Sequence, residues 1–228
     1  MTSTVLITGG NRGIGLEIVR GFAKEGCKVL LGCRNEDDGL AAKKDIVGAD
    51  IQVIELNLNN EQQIIESVTR AQAIYGDIDI LVNNAGFLED NDWQNVELEE
   101  IKRAMQVHVY GPLCLIQQVL PAMVEKNYGR IVNLSSGYGS FEQGINGPTA
   151  YSVSKAALNA LTVNIANSVD AANVKINSMT PGWVHTRLGG KDAPRTPEEG
   201  AKTAVWLGLL EDDGPTGKFF RDQDEISW

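Results

Sequence analysis

Tyr151-Ser-Val-Ser-Lys155 sets a phenol and an ammonium four residues apart, and Ser135-Ser136 stands about fifteen residues before it. If Tyr151 lies near the start of a helix, four residues is one turn and both side chains share a face. A free phenol has a pKa of roughly 10 and exchanges protons poorly near neutrality until a neighbouring cation lowers it. The pair is therefore suited to moving a proton to or from an alcohol or a carbonyl. Tyr and Lys are common at this spacing on solvated helix faces, so the motif needs the rest of the chain to carry it.

A second kind of chemistry is written near the N-terminus, in Thr8-Gly9-Gly10-Asn11-Arg12-Gly13-Ile14-Gly15. Glycines at 9, 13 and 15 permit a tight turn, close backbone approach to a pyrophosphate, and close packing of helix on strand. The helix that follows turns its free N–H groups and positive dipole end toward the phosphates. Where an NAD site carries Asp or Glu at the end of the second strand, this chain reads Gly32-Cys33-Arg34-Asn35. The planar cation of Arg34, with Arg12 in the glycine loop, suits a ribose 2′-phosphate. NADP(H) is expected ahead of NAD(H). The competing reading leaves Arg34 solvated and gives the ribose to Glu36 or Asp37.

These groups must be positioned by alternating elements. Thr4–Thr8, Lys28–Gly32, Ile51–Glu55, Ile78–Val82, Arg130–Leu134, Lys175–Met179 and Gly217–Arg221 read as strands. Gly13–Glu25, Gly39–Val47, Glu61–Tyr75, Leu98–Lys126, Tyr151–Ala171 and Pro197–Leu210 carry helical spacing. Continuously apolar strands alternating with helices predict an α/β fold, a doubly wound parallel sheet covered by helices on both faces. No repeat or linker divides the chain, so residues 1–228 are expected to form a single dinucleotide-binding and catalytic domain. In such sheets ligands bind beyond the carboxyl ends of the strands.

Composition narrows the partners. Apolar residues make up 43% and charged residues 22% of the chain, the balance of an ordinary soluble protein. A net charge of −10 with scattered cations argues against nucleic acid, which needs a concentrated basic face. Three cysteines (Cys27, Cys33, Cys114) are odd in number and set among apolar residues, which fits reduced buried thiols. With only His108 and His185 present, a His-rich metal site is not expected. The first strand follows Met1 almost directly, with no basic leader or long apolar segment, so the expected location is cytoplasmic, off the membrane.

The ordered motifs Thr8-Gly-x-x-x-Gly-x-Gly15, Asn83-Asn-Ala-Gly86, Ser135-Ser136, Tyr151-x-x-x-Lys155 and Pro181-Gly182 give the whole chain a close resemblance to the short-chain dehydrogenase/reductase family. Pro181-Gly-Trp-Val-His-Thr186 and the tail Gly214–Arg221 look most like carbonyl-reductase-type members. The resemblance implies a Rossmann-type sheet of seven parallel strands in the order 3-2-1-4-5-6-7. It implies NADPH-dependent reduction of a ketone or aldehyde. Ser136 and Tyr151 would hold the carbonyl oxygen, and Tyr151 would act as general acid/base. Lys155 would lower the Tyr151 pKa, helped by the charge of the oxidised nicotinamide, and bind its ribose. Along the cofactor it assigns Gly9, Asn11, Arg12, Gly13, Ile14, Gly15 and Arg34. Asn57 and Leu58 would flank the adenine, with Asn57 where the family more often has Asp. Asn83, Ala85 and Gly86 would wall the ribose and steady the central sheet, and Pro181, Gly182, Val184 and Thr186 would border the nicotinamide, with Thr186 near its carboxamide.

One departure concerns His108, which stands where the family usually carries an Asn that holds a helix kink and a proton-relay water. His108 would keep its backbone carbonyl available for that water, relay protons through its ring, or pack in place of the Asn and slow the relay. Gly182–Glu198 reads as a mobile loop over the substrate. Trp93, Tyr138, Phe141 and Trp183 are candidate pocket walls. The exposed faces of Leu98–Lys126 and Tyr151–Ala171 are free to form a homodimer or homotetramer. A non-catalytic NADP-binding redox sensor is the alternative function, and retention of Ser136, Tyr151 and Lys155 together favours an enzyme. An epimerase or dehydratase would need a larger substrate domain than the chain provides after Pro181.

Overall fold

The computed structural model describes residues 2–228. Its strands are β1 (Thr4–Thr8), β2 (Lys28–Cys33), β3 (Ile51–Glu55), β4 (Ile80–Asn83), β5 (Gly129–Leu134), β6 (Val174–Met179), β7 (Phe219–Arg221) and β8 (Asp224–Ile226). They hydrogen-bond into one sheet in the order β3-β2-β1-β4-β5-β6-β7-β8. All neighbours run parallel except β7 and β8. β1, β4, β5 and β6 are buried along their whole length, as in a sheet covered on both faces, even though β5 and β6 carry Arg130, Asn133, Lys175, Asn177 and Ser178. β3 exposes Gln52 and Glu55, which fits its place at the edge.

The helices are α1 (Gly13–Lys24), α2 (Glu36–Lys43), α3 (Glu61–Tyr75), α4 (Leu98–Met105), α5 (Gly111–Glu125), α6 (Thr149–Ser168) and α7 (Pro197–Gly208). Ile18, Val19 and Phe22 of α1 pack with Ala201, Ala204 and Leu207 of α7 on one face of the sheet. Ile64 and Val68 of α3 pack with Leu115, Val119 and Met123 of α5 on the other. The chain winds from β1 outward to β3, then returns to place β4 on the far side of β1. The crevice between the ends of β1 and β4 is the switch point where ligands of such folds bind.

The α/β Rossmann-type fold and the predicted strand order hold, with one correction. The sheet has eight strands, not seven, and its last pair is antiparallel. The β7–β8 turn uses Asp222 and Gln223, both at positive φ, in a left-handed two-residue hairpin. Such turns normally announce themselves through Asn or Gly, and Asp222-Gln223 lacks that signal. α2 also begins earlier than its apolar spacing suggests, because the Asn35 side chain accepts a hydrogen bond from Asp38 N and caps the helix there.

The helical stretch Leu98–Glu125 has the length and mean hydropathy (1.3) of a membrane span, but half of it is buried within the fold, as for a core helix. Expected as one regular helix, it is interrupted by a π turn at Gln106–Tyr110. Pro112 has no N–H to offer the carbonyl four residues back, that of His108, so the regular ladder cannot continue through this point. Gly111 N bonds Gln106 O across the wider turn.

Candidate active site

Tyr151 is the third residue of α6, so the expected one-turn spacing to Lys155 is realised on a single helix. Both side chains are buried, and the Lys155 ammonium lies 5.6 Å from the centre of the Tyr151 ring. Lys155 Nζ donates to the Leu134 carbonyl at the end of β5 (2.7 Å), which ties the helix to the neighbouring strand. Ser136 follows that strand, and its Oγ accepts from Tyr138 N (3.2 Å) at the start of a short 3-10 turn. Ser135 faces inward instead, 3% exposed, with its hydroxyl on the Lys155 carbonyl. The structure thus distinguishes the two serines. Ser136 is the one beside the phenol.

Burial pushes the Tyr151 phenol up to about 12, opposed by its hydrogen bond with Ser136 and reinforced by Tyr138. Burial also drives Lys155 down to about 7, so near neutrality this amine carries only part of a charge. Among this chain's own groups, burial is the largest influence on both the phenol and the amine.

His108 sits in the π turn, 1% exposed, edge-on to Tyr151 with ring centres 5.5 Å apart. Its Nδ1 lies 2.8 Å from Ser154 Oγ, and its Nε2 accepts from Phe87 N at 3.2 Å. Burial, and secondarily the Lys155 charge, hold the ring well below the usual imidazole range. Both nitrogens are engaged with protein groups.

The glycine loop is shaped as a cradle. Gly9 and Gly13 adopt positive φ (67° and 54°), and a Cβ at Gly15 would overlap the Gly9 carbonyl and the Asn84 amide. No acidic residue occupies the first turn of α1, and no side chain caps it, so its N–H groups remain open toward the loop. Asn84, which the sequence reading passed over, pins this loop: its Nδ2 donates to Thr8 O (2.8 Å) and Gly9 O (3.2 Å). The Thr8 hydroxyl in turn accepts from Asn84 N and Ala85 N. The only advance signal for Asn84 was its place in the Asn83-Asn84 pair.

The other expected cofactor residues divide into two groups. Asn11, Arg12 and Arg34 line a common cleft of about 330 Å³ with Asn35 and Asp38, so the two arginines do meet. Ala85 and Gly86 lie beside the loop and the lysine, with Gly86 closed against His108. Thr186 packs its methyl over Gly13, bringing the segment after β6 to the glycine loop. Ile14 packs on the core beside α7.

Leu58 and Asn83 turn away from the crevice. Leu58 is a core side chain packed under Gly111. Asn83 hydrogen-bonds Asn133, which bonds Thr162, in a buried polar ladder across the sheet. Asn57 accepts from Asn59 N.

Pro181, Gly182 and Val184 open a segment that is more tightly tied than a mobile loop. Val184 is buried and pairs with Arg195 in a short parallel bridge. Trp183 Nε1 donates to Gly189 O, and Arg195 forms an ion pair with Asp222 of the β7–β8 hairpin. The structure pins this segment at both ends. Of the four aromatic wall candidates, Tyr138 lines a cleft of about 680 Å³ with Asp90, Asn91, Asp92, Glu100, Asn146 and Pro148. Trp93, Phe141 and Trp183 stand largely exposed.

A phenol, a hydroxyl and an amine gather at the end of β5 and the start of α6, on the side of the sheet where the glycine loop follows β1. The family model for short chain dehydrogenase matches residues 3–196. The chain is 33% identical over 190 residues to "Dehydrogenase/reductase SDR family protein 7-like" of Drosophila melanogaster, covering 81% of this chain and 58% of that protein. It is 32% identical over 183 residues to the 3-oxoacyl-(acyl-carrier-protein) reductase FabG of Escherichia coli, covering 80% of this chain and 74% of that protein. Among solved structures, a gluconate 5-dehydrogenase from Burkholderia cenocepacia, in complex with NADP and tartrate, superposes with a TM-score of 0.85 at 26% identity. That match covers 96% of this chain and 92% of the other. The chain belongs to the short-chain dehydrogenase/reductase family of oxidoreductases. It spans 58% and 60% of the length of the Drosophila and Anopheles relatives.

Proposed function

We propose that this protein reduces a ketone or aldehyde to the alcohol with NADPH, reversibly, with Tyr151 as the general acid/base. The observation that carries the reading is the convergence of the Tyr151 phenol, the Ser136 hydroxyl and the Lys155 amine beside the glycine cradle. A nicotinamide held by the glycine loop, Arg12 and Arg34 would supply the hydride. Ser136 donates a hydrogen bond to the carbonyl oxygen, and Tyr151 donates the proton that completes the alcohol. A phenol held near 12 is protonated at neutral pH, the form needed for reduction. Oxidation of the alcohol requires the phenolate and is favoured as pH rises. Lys155 orients the ribose and, when charged, favours the phenolate.

Preference for NADPH is supported by Arg12 and Arg34 sharing one cleft with Asn11 and Asn35. Their guanidinium groups can share a 2′-phosphate in bidentate fashion. Assembly as a homodimer or homotetramer belongs to the same proposal, supported by exposed Tyr110 and Val124 along the long helix and Val153 on α6. The chain is proposed to act as one unit, because the cofactor cradle and the proton-transfer groups sit on the same sheet.

The test is oxidation of NADPH and of NADH against a panel of ketones and aldehydes. Turnover with NADPH exceeding that with NADH supports the reading. Preference for NADH overturns the Arg34 argument. Tight NADPH binding with no turnover on any carbonyl replaces the enzyme with a redox sensor.

A further inference from the structure

This inference rests on the reductase reading above. We propose that His108 is a positioning residue: a neutral imidazole protonated on Nδ1 that struts the Tyr151 turn of α6 against the Phe87 backbone, and not a proton relay. The proton inventory decides the tautomer. Ser154 has one hydroxyl proton, and its Oγ donates it to the Tyr151 carbonyl at 2.8 Å. The 2.8 Å contact between Ser154 Oγ and His108 Nδ1 must therefore be donated by the ring. At the other edge Phe87 N–H points at Nε2, which must present a lone pair. Two independent contacts thus require the same form of the ring.

A relay needs a second proton to visit Nε2. There it would meet the Phe87 N–H donor head-on, among groups that already disfavour positive charge. From α6 the ring faces Tyr151, Ser154 and Lys155; from the loop after β4 it faces Gly86 and Phe87. Burial and then Lys155 oppose the imidazolium and outweigh a smaller favourable contribution from the Phe87 backbone. A Cβ at Gly86 would come within 3.2 Å of Nε2, so the loop approaches the ring as closely as a glycine permits.

The π turn supplies the geometry. By widening the helix at Gln106–Tyr110 it seats His108 at the meeting of α6 with the wall beside the glycine cradle. The chain Phe87 N–H, His108 ring, Ser154 hydroxyl, Tyr151 carbonyl then fixes the backbone that carries the phenol. Misplacing a proton donor by about 1 Å costs on the order of a hundredfold in rate.

The direct test uses the side-chain nitrogens. His108 and His185 are the only histidines, so two ring systems appear in a ¹⁵N spectrum of the intact protein. The strut requires His108 to stay neutral and Nδ1-protonated between about pH 5 and pH 8. A ring that titrates in that range, or carries its proton on Nε2, overturns it. In turnover assays, His108→Phe and Ser154→Ala should each lower kcat by roughly ten- to a hundredfold while changing the Kd for NADPH less than about threefold. The double variant should lose little more than the worse single one, because both break one chain of bonds. His108→Gln, whose amide carries a donor and an acceptor, should recover part of the loss.

Unchanged kcat in Ser154→Ala, or fully additive losses, sinks the strut. If His108→Phe fails to bind NADPH, Ser154→Ala and the spectrum still decide the matter. A protein that binds NADPH yet turns over no carbonyl removes the reductase reading and the strut's kinetic role with it, whereas a titrating ring in an active enzyme removes the strut alone.

Discussion

At the scale of residues, burial acts on two groups central to the proposed chemistry: it pushes the Tyr151 phenol up to about 12 and the Lys155 amine down to about 7. Tyr151→Phe keeps the ring and removes the proton, so kcat for carbonyl reduction should fall by about 10²–10⁴-fold. NADPH binding, measured by fluorescence titration, should change little; wild-type turnover would contradict the mechanism. Lys155 makes a prediction about stability. The unfolded chain holds the lysine proton up to about pH 10.4. Between there and about pH 7 the folded protein has released a proton that the unfolded chain retains. Stability must therefore rise as pH climbs from about 7 toward 10, by up to roughly 1.4 kcal/mol per pH unit. Above about pH 10 the retained Tyr151 proton works in the opposite sense. Urea midpoints at pH 7 and 9 should separate for the native protein, and Lys155→Met should lose that part of the difference.

At the scale of elements, the phosphate cradle is a joint between β1, α1 and the end of β4. Gly15 has no space for a Cβ, because the Gly9 carbonyl and the Asn84 amide already occupy it. Gly15→Ala should push α1 away from the loop and weaken NADPH binding by about tenfold or more, while Gly26→Ala, whose Cβ would meet nothing, leaves binding unchanged. Equal affinities for the two variants would disprove the packing argument. The spacing of glycines made the cradle legible in the sequence, since each has a local backbone reason. Asn84 was not legible, because its partners, Thr8 and Gly9, lie some 75 residues away in the chain. The resemblance implied a helix kink at the position of His108, but its form as a π turn over Gln106–Tyr110 depends on the packing around that buried ring.

At the scale of the whole molecule, Arg130 holds the far end of the sheet together. It is fully buried at the start of β5, and its guanidinium donates to the carbonyls of Leu210 and Asn173, with Tyr128 stacked 4.7 Å away. The carboxylate that pairs with it, Asp212, is mostly exposed and 3.7 Å distant, so carbonyl oxygens do most of the compensation. Arg130→Met would leave those carbonyls buried without a donor, and unfolding free energy should drop by about 3–5 kcal/mol. Thermal denaturation checks this. A loss below about 1 kcal/mol would mean the clasp is neutral relative to a packed apolar side chain.

Local rules of apolar period, glycine at strained turns and one-turn spacing determined the fold class, the glycine loop and the Tyr151–Lys155 pairing, whereas the strand order and most candidate cofactor and proton-transfer residues were implied by the resemblance to the family's ordered motifs. Tertiary structure alone decided how deeply Tyr151 and Lys155 are buried, and that both nitrogens of His108 are engaged with protein groups. It also supplied the eighth strand, through a hairpin without a glycine, and the ties that pin the segment after β6. Each of these depends on how deeply a group is buried and on partners remote in the chain, and neither is written in the identity of the residue itself.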